Sequence, residues 1–127
     1  MKIKASELTG AALNWAAAKA DNNLHPKGDV RLLDRNVFII TAGDYENPDL
    51  WQRYAPAIYW AQGGPIIESN EIELKSIEDG VWQASNLFDD MEWHHFVGYS
   101  PLEAAMRCHV AHRLGEEVEI PKELYED

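Results

Sequence analysis

The side chains best suited to bind a metal ion fall in two groups along the sequence. His94 and His95 are adjacent, and Cys108, His109 and His112 lie close together further on. On a helix, Cys108 and His112 would face the same way, and a further ligand from the histidine pair would complete a zinc site. Against a metal, the chain has no Cys-x-x-Cys or His-Glu-x-x-His pattern, and its cysteine shares a helix face with alanines, which favours packing. We therefore predict no metal ion and no other cofactor.

Acidic and imidazole side chains that could act as a general acid and base occur together at residues 89–95. Such catalysis needs groups that converge, and His94 and His95 would point to opposite faces of a strand. A solvated acidic loop leading into a strand accounts for the segment better. The chain also has no P-loop or Gly-x-Gly-x-x-Gly motif, and Cys108 is typical of a small hydrophobic residue in a buried helix. We assign no catalytic residues and favour a protein that is not an enzyme.

Two glycines followed by a proline make residues 60–68 the least ordinary segment of the chain. Pro65 suits the first position of a short helix, and the amides around Gly63 and Gly64 would then form a small anion-binding nest. The residues of this hypothetical ligand site are Trp60, Gln62, Gly63, Gly64 and Arg107, with Arg53 as another source of positive charge. We favour the alternative, in which Gly-Gly-Pro only turns the chain while Trp60 and Ile66 fill the core.

Four aromatic residues cluster within ten positions, namely Trp51, Tyr54, Tyr59 and Trp60. If they are buried, they form part of the core. If some are exposed, they offer a surface for a protein or a ligand. The sequence leaves both possibilities open.

Charge is distributed unevenly along the chain. The 22 acidic and 11 basic side chains give a net charge of −11. Residues 1–40 have a net charge of +2, whereas residues 68–92 carry eight acids against Lys75, and residues 116–127 carry six acids against Lys122. This balance argues against binding to nucleic acid or to an anionic membrane, because both need clustered lysine and arginine. It favours a basic protein as the partner.

Length and composition indicate one soluble domain. A chain of 127 residues fits a single domain, and one cysteine allows no disulfide within the chain. The polar residues near the start do not form a signal peptide, and no segment approaches the roughly 20 apolar residues that span a bilayer. We expect a cytoplasmic protein, with a homodimer as one possible assembly.

Two helices are predicted to position the polar groups. Ser100, Pro101 and Glu103 form a capping box, and Gly115 ends the helix they begin, which runs to about residue 114. The second helix covers about residues 6–20 and is rich in alanine. Small side chains allow helix axes to approach closely, so we expect the two helices to pack together.

Strands and loops are predicted between these helices. Strands are expected at residues 37–41, 71–77, 81–84 and 93–97, a short edge strand or an extended tail at residues 118–120, and loops at residues 21–27 and 44–49. The second and third of these strands form a hairpin around Asp79 and Gly80. The predicted fold is α+β, with a mainly antiparallel sheet and two or three packed helices in one compact domain.

Several blocks of the sequence are similar to the phage proteins called NinX. They read MKIK at residues 1–4, SELTGAAL at 6–13, WAQGGPIIE at 60–68, SPL at 100–102, AAMR at 104–107 and LGEEV at 114–118. Residues 21–49 depart from the family by being longer and more polar. The resemblance implies a small accessory protein of tailed phages and prophages, with an α+β sandwich fold. It implies no activity, so no functional residue is carried over.

Three functions remain in order of preference. The first is a phage or prophage accessory protein that acts by binding a host or phage protein and has no enzymatic activity. The second is a protein that binds or sequesters a small, nucleotide-like ligand at Gly63 and Gly64. The third, least favoured, is a metal-dependent hydrolase built on the two histidine groups.

Overall fold

Three helices and three antiparallel sheets form the fold in a computed structural model that describes residues 1–21, 28–41 and 46–125. The helices are α1 (Gly10–Ala20), α2 (Trp60–Asn70) and α3 (Pro101–Leu114). The strands are β1 (Lys2–Lys4), β2 (Gly28–Leu33), β3 (Asn36–Thr41), β4 (Gln52–Arg53), β5 (Glu73–Glu78), β6 (Val81–Leu87), β7 (Trp93–Gly98) and β8 (Glu117–Glu119). The predicted α+β fold in one domain is confirmed. Two predicted loops fall partly outside the described residues. These are residues 22–27 of the loop predicted at 21–27 and residues 44–45 of the loop predicted at 44–49.

The central helix α3 begins and ends where its sequence signals predict. The Ser100 hydroxyl accepts a hydrogen bond from the Glu103 amide at 3.0 Å, and the Glu103 carboxylate accepts one from the Tyr99 amide at 2.9 Å. Gly115 follows the helix with a φ of 100°, which glycine adopts without strain. Residues 104–111 are all buried, so α3 is packed on every side.

The first helix is shorter than predicted. Residues 5–7 form a 3-10 turn, Leu8 and Thr9 are extended, and α1 begins only at Gly10. The reason is tertiary, because the Leu8 carbonyl accepts a hydrogen bond from the Arg107 guanidinium at 2.8 Å instead of a helical amide. The buried alanines of α1 pack against α3, which confirms the predicted contact between the two helices.

The helix at the Gly-Gly-Pro segment begins at Trp60, so the hypothesis of a short helix that begins at Pro65 is wrong, and so is the favoured alternative, in which Gly-Gly-Pro only turns the chain. Pro65 lies inside α2, where it removes the amide that would bond the carbonyl of Ala61, and Ala61 is exposed so that water can take that place. The expectation that Trp60 fills the core is also wrong, because its side chain is 56% exposed. Ile66 is buried as expected.

The sheet β5-β6-β7 contains the predicted hairpin and covers α3. Ala84 of β6 pairs with Leu74 of β5 and with Phe96 of β7, and this face of the sheet packs on the helix. Gly98 lies against the backbone of α3, where an added Cβ would come within 2.6 Å of the Ala104 nitrogen. The strand predicted at residues 93–97 is therefore confirmed and held close to α3.

The other two sheets are smaller. β3 pairs with β2 and β4, and the turn between β2 and β3 uses Asp34 and Arg35, both with positive φ. β8 pairs with β1 and so joins the two ends of the described chain. It confirms the short edge strand predicted near residue 118.

Candidate functional site

The residues of the predicted ligand site are distributed over different parts of the structure. The side chain of Gln62 accepts a hydrogen bond from the Ala55 amide at 2.6 Å and donates one to the Arg53 carbonyl at 2.7 Å. It therefore fixes the connection between β4 and α2. The amide of Gly63 bonds the Tyr59 carbonyl at 2.9 Å inside the helix, so it does not form part of a nest.

The two glycines have different surroundings. A Cβ on Gly63 would lie 2.4 Å from the Pro56 carbonyl oxygen and 2.6 Å from Cδ2 of Leu102. A Cβ on Gly64 would meet no atom within 4 Å. Gly63 therefore allows α2 to approach its neighbours closely, and Gly64 borders open space.

Arg107 is buried and bonded to the main chain. Its Nε donates to the Leu8 carbonyl and its Nη1 to the Val97 carbonyl, both at 2.8 Å, and Glu103 lies 3.6 Å away on the same helix. These bonds tie α3 to β7 and to the segment before α1. That a ligand binds at Trp60, Gln62, Gly63, Gly64 and Arg107 stays a prediction.

Phe88 brings together two histidines that are distant in sequence. Its ring stacks on His94 at 4.1 Å and on His112 at 4.5 Å between ring centroids. Nε2 of His94 lies 2.8 Å from the Asp90 carboxylate, and hydrogen bonds from the Glu92 amide and from His94 hold the pKa of Asp90 below its usual value. The stack fixes His94 beside an acidic loop.

The cysteine does not share this cluster. Cys108 is fully buried, and burial raises the pKa of its thiol to about 12. Within the described ranges, Asp90, Glu92 and His94 form the group of possible metal ligands, with ligand atoms within 4.8 Å of one another. Cys108 is not part of this group, so the described residues do not form the zinc site that was considered from Cys108 and the histidines.

One face of the sheet β5-β6-β7 is turned to solvent, and we call it the outer face. It carries Trp93, His95 and Val97 of β7, which alternate with residues that pack on α3. Trp93 is 50% exposed and Val97 is 48% exposed, and Leu87 is exposed beside Trp93 on β6. β7 is at the edge of this sheet.

Exposed acidic residues lie in the sheet β5-β6-β7 and in the segments next to it. All eight acids within residues 68–92 are exposed, and Lys75 is the single basic side chain among them. The negative charge of β8 is partly compensated by basic groups. Glu119 pairs with Lys2 across the strands and binds the N-terminal ammonium at 2.8 Å. Asp90 lies 2.8 Å from His94 and Asp89 lies 3.6 Å from His112, so the fold leaves the other six acids without an ion pair among the described residues and partly neutralises the charge of the tail.

A polar cleft of about 650 Å³ lies where the end of α1 meets α2 and α3, and we call it the α2–α3 cleft. Its polar lining consists of Asp21, Gln52, Gln62, Ser69, Asn70, His109 and Arg113. His109 is only 2% exposed, and neither ring nitrogen has a hydrogen-bond partner among the described residues. Burial lowers the pKa of His109 to about 4, so the imidazole is neutral at pH 7.

The sequence pattern marks His109 only as a candidate metal ligand and gives Arg113 no role. Nη2 of Arg113 donates to Oδ1 of Asn70 at 2.8 Å, which holds the guanidinium at the cleft. The spacing of four residues between His109 and Arg113 on a predicted helix places both on one side. From that spacing the sequence could have predicted that His109 and Arg113 lie at the same site.

The fold and these surfaces define a small acidic α+β protein built around one buried helix. The family model described as "Bacteriophage P22, NinX" matches residues 4–113, so the chain belongs to the NinX family and is a phage accessory protein. The match confirms the resemblance found in the sequence and includes the divergent residues 21–49. No curated protein matches the chain. Within the described ranges, no helix is long and apolar enough to span a membrane.

Proposed function

We propose that this phage accessory protein acts by binding a basic host or phage protein through the outer face of the sheet β5-β6-β7. The observation that carries the proposal is the pair of exposed side chains Trp93 and Val97 on an edge strand. Aromatic residues at the centre of an interface contribute much of its binding energy, and a sheet edge offers free backbone groups to a partner.

The size of the outer face indicates what kind of contact it makes. Three strands about 4.8 Å apart and six residues long give a face of roughly 300 Å². A standard interface buries about 800 Å² on each partner, so the apolar face alone is too small for tight binding. The surrounding acids have to contribute, and the partner therefore presents basic side chains around an apolar segment.

The proposal is tested with the double variant Trp93→Ser/Val97→Ser and the control Ile58→Ser, which removes an exposed apolar side chain elsewhere. Proteins captured from host lysate by the wild-type chain are identified, purified and measured for direct binding. We expect a basic protein whose affinity falls at least tenfold with the double variant, or about 1.4 kcal/mol. The Ile58 variant is expected to bind like the wild type.

Salt and self-association complete the test. Binding of the proposed kind weakens as salt rises from about 0.05 to 0.5 M, because screening removes the contribution of the acids. Equal binding by the wild type and the double variant overturns the proposal. So does a dimer in analytical ultracentrifugation that the double variant abolishes, because the outer face is then occupied by a second copy.

A further inference from the structure

We infer that the α2–α3 cleft binds a small organic monocarboxylate, whose carboxylate pairs with Arg113 and whose neutral polar group bonds His109. This inference is independent of the proposed protein-binding face, which lies on another part of the molecule. It rests on the burial of His109, the position of Arg113 and the charge of the cleft.

The buried imidazole is the first observation. Removing a polar group from water without a hydrogen bond costs about 1–3 kcal/mol, so buried polar groups in folded proteins nearly always have partners. His109 lines the cleft, is 2% exposed, and has no partner on either ring nitrogen among the described residues. A neutral imidazole has one donor and one acceptor nitrogen, so it suits an amide or a similar uncharged group of a ligand.

Arg113 supplies the charged contact. One guanidinium nitrogen is held by Asn70, and the remaining N–H groups have no further hydrogen-bond partner among the described residues. A guanidinium presents its N–H groups as a planar fork that matches a carboxylate. Because Asn70 already orients the fork at the cleft, less side-chain freedom is lost when an anion binds.

The remaining lining selects the class of ligand. Arg113 and Asp21 contribute one positive and one negative charge to the cleft, and His109 is neutral. This balance fits a ligand with a single negative charge better than a phosphate ester with two. Apolar side chains from α2, including Pro65 and Ile66, provide a surface for a small apolar body. A volume of about 650 Å³ lies within the range of small-molecule sites.

The test uses N-acetylglycine, which combines one carboxylate with one amide, and inorganic phosphate as the comparison anion. The ring nitrogens of His109 are followed by NMR in the full chain labelled with nitrogen-15. We expect a saturable shift of these signals by N-acetylglycine with a millimolar Kd, and weaker binding of phosphate. The variant Arg113→Gln is expected to raise the Kd about tenfold or more. Arg35→Gln, which removes the same charge from the β2–β3 turn, is expected to leave it unchanged.

A second variant separates ligand binding from folding. His109→Leu replaces an unpartnered polar group by an apolar one, so we expect an unchanged or higher Tm together with loss of N-acetylglycine binding, read from the Arg113 side-chain signal. The absence of any His109 shift up to about 20 mM N-acetylglycine overturns the inference, since a weaker interaction is not a site. Equal binding of phosphate, or binding that survives His109→Leu, also overturns it. The Trp93→Ser/Val97→Ser variant binds N-acetylglycine normally, so failure of one proposal does not affect the other.

Discussion

Alanine at Gly63 is expected to destabilise the protein, whereas alanine at the adjacent Gly64 is expected to leave its stability nearly unchanged. Both positions lie inside α2, where alanine is favoured over glycine by about 1 kcal/mol. At Gly63 the added methyl group lies 2.4 Å from the Pro56 carbonyl oxygen and 2.6 Å from the end of the Leu102 side chain. The leucine can change rotamer, but the carbonyl moves only with the backbone.

The size of the effect follows from these contacts. Overpacking a filled site costs about 1–3 kcal/mol, and a clash with backbone belongs at the upper end of that range. After the helix propensity is subtracted, Gly63→Ala lowers the free energy of unfolding by about 2 kcal/mol. At Gly64 the added Cβ meets no atom within 4 Å outside the neighbouring residues, but Pro65 follows, and its ring disfavours a helical conformation for a preceding residue that has a Cβ. This contact offsets the helix propensity of alanine, so Gly64→Ala changes the free energy of unfolding little. The two variants therefore differ by about 2 kcal/mol.

Urea unfolding followed by circular dichroism measures this difference directly. The slope m is expected to be the same for both variants, so that the shift in the midpoint reports stability. In thermal unfolding the variants should differ by about 8 °C, at about 4 °C for each kcal/mol. If Gly63→Ala is as stable as Gly64→Ala, α2 does not pack against Pro56 and Leu102 as described, and the reasoning is refuted.

Three further predictions concern the helix α3 and its cap. Ser100→Ala removes the cap of α3 and should lower the free energy of unfolding by about 1 kcal/mol in urea, whereas Ser100→Asp, which can still cap, should lower it less. Arg107→Met removes the hydrogen bonds that the guanidinium donates to the carbonyls of Leu8 and Val97. The free energy of unfolding in urea should fall by about 3 kcal/mol. Stability equal to the wild type would contradict the role assigned to these bonds. The pKa of His109 is about 4 in the folded chain and 6.5 in the unfolded chain. Between these pH values the unfolded chain binds a proton that the folded chain does not. The free energy of unfolding therefore rises by about 3 kcal/mol from pH 4 to 6.5. Urea unfolding at several pH values should show this rise in the wild type and a smaller rise in His109→Leu. If the free energy of unfolding depends on pH equally in both proteins, His109 is not buried as a neutral group.

Elements with signals close together in sequence could be predicted. The helix α3 has its cap at Ser100 and its stop at Gly115, and both form hydrogen bonds with residues at most four positions away. The β5–β6 hairpin has alternating residues around a short turn at Gly80. These features depend on neighbours along the chain, so the sequence contains all the information needed.

Elements that depend on distant contacts were predicted wrongly or not at all. The start of α1 is set by a hydrogen bond between Arg107 and Leu8, which are 99 positions apart. The start of α2 at Trp60 places Gly63 against Leu102, so tertiary packing, and not the local preference of Pro65, fixes that helix. The β2–β3 turn uses Asp34 and Arg35 with positive φ and lacks the glycine that would have marked it.

The sequence by itself determined the fold class, the main helix, the hairpin, the family and the uneven charge, because each depends on composition or on short-range pattern. Only the tertiary structure decided which polar groups are buried and which apolar groups are exposed. Arg107 became a structural link, His109 became an unpartnered group in a cleft, and Trp93 remained on the surface. The physical reason is that burial and hydrogen bonding depend on which distant segments meet, and no local pattern records that.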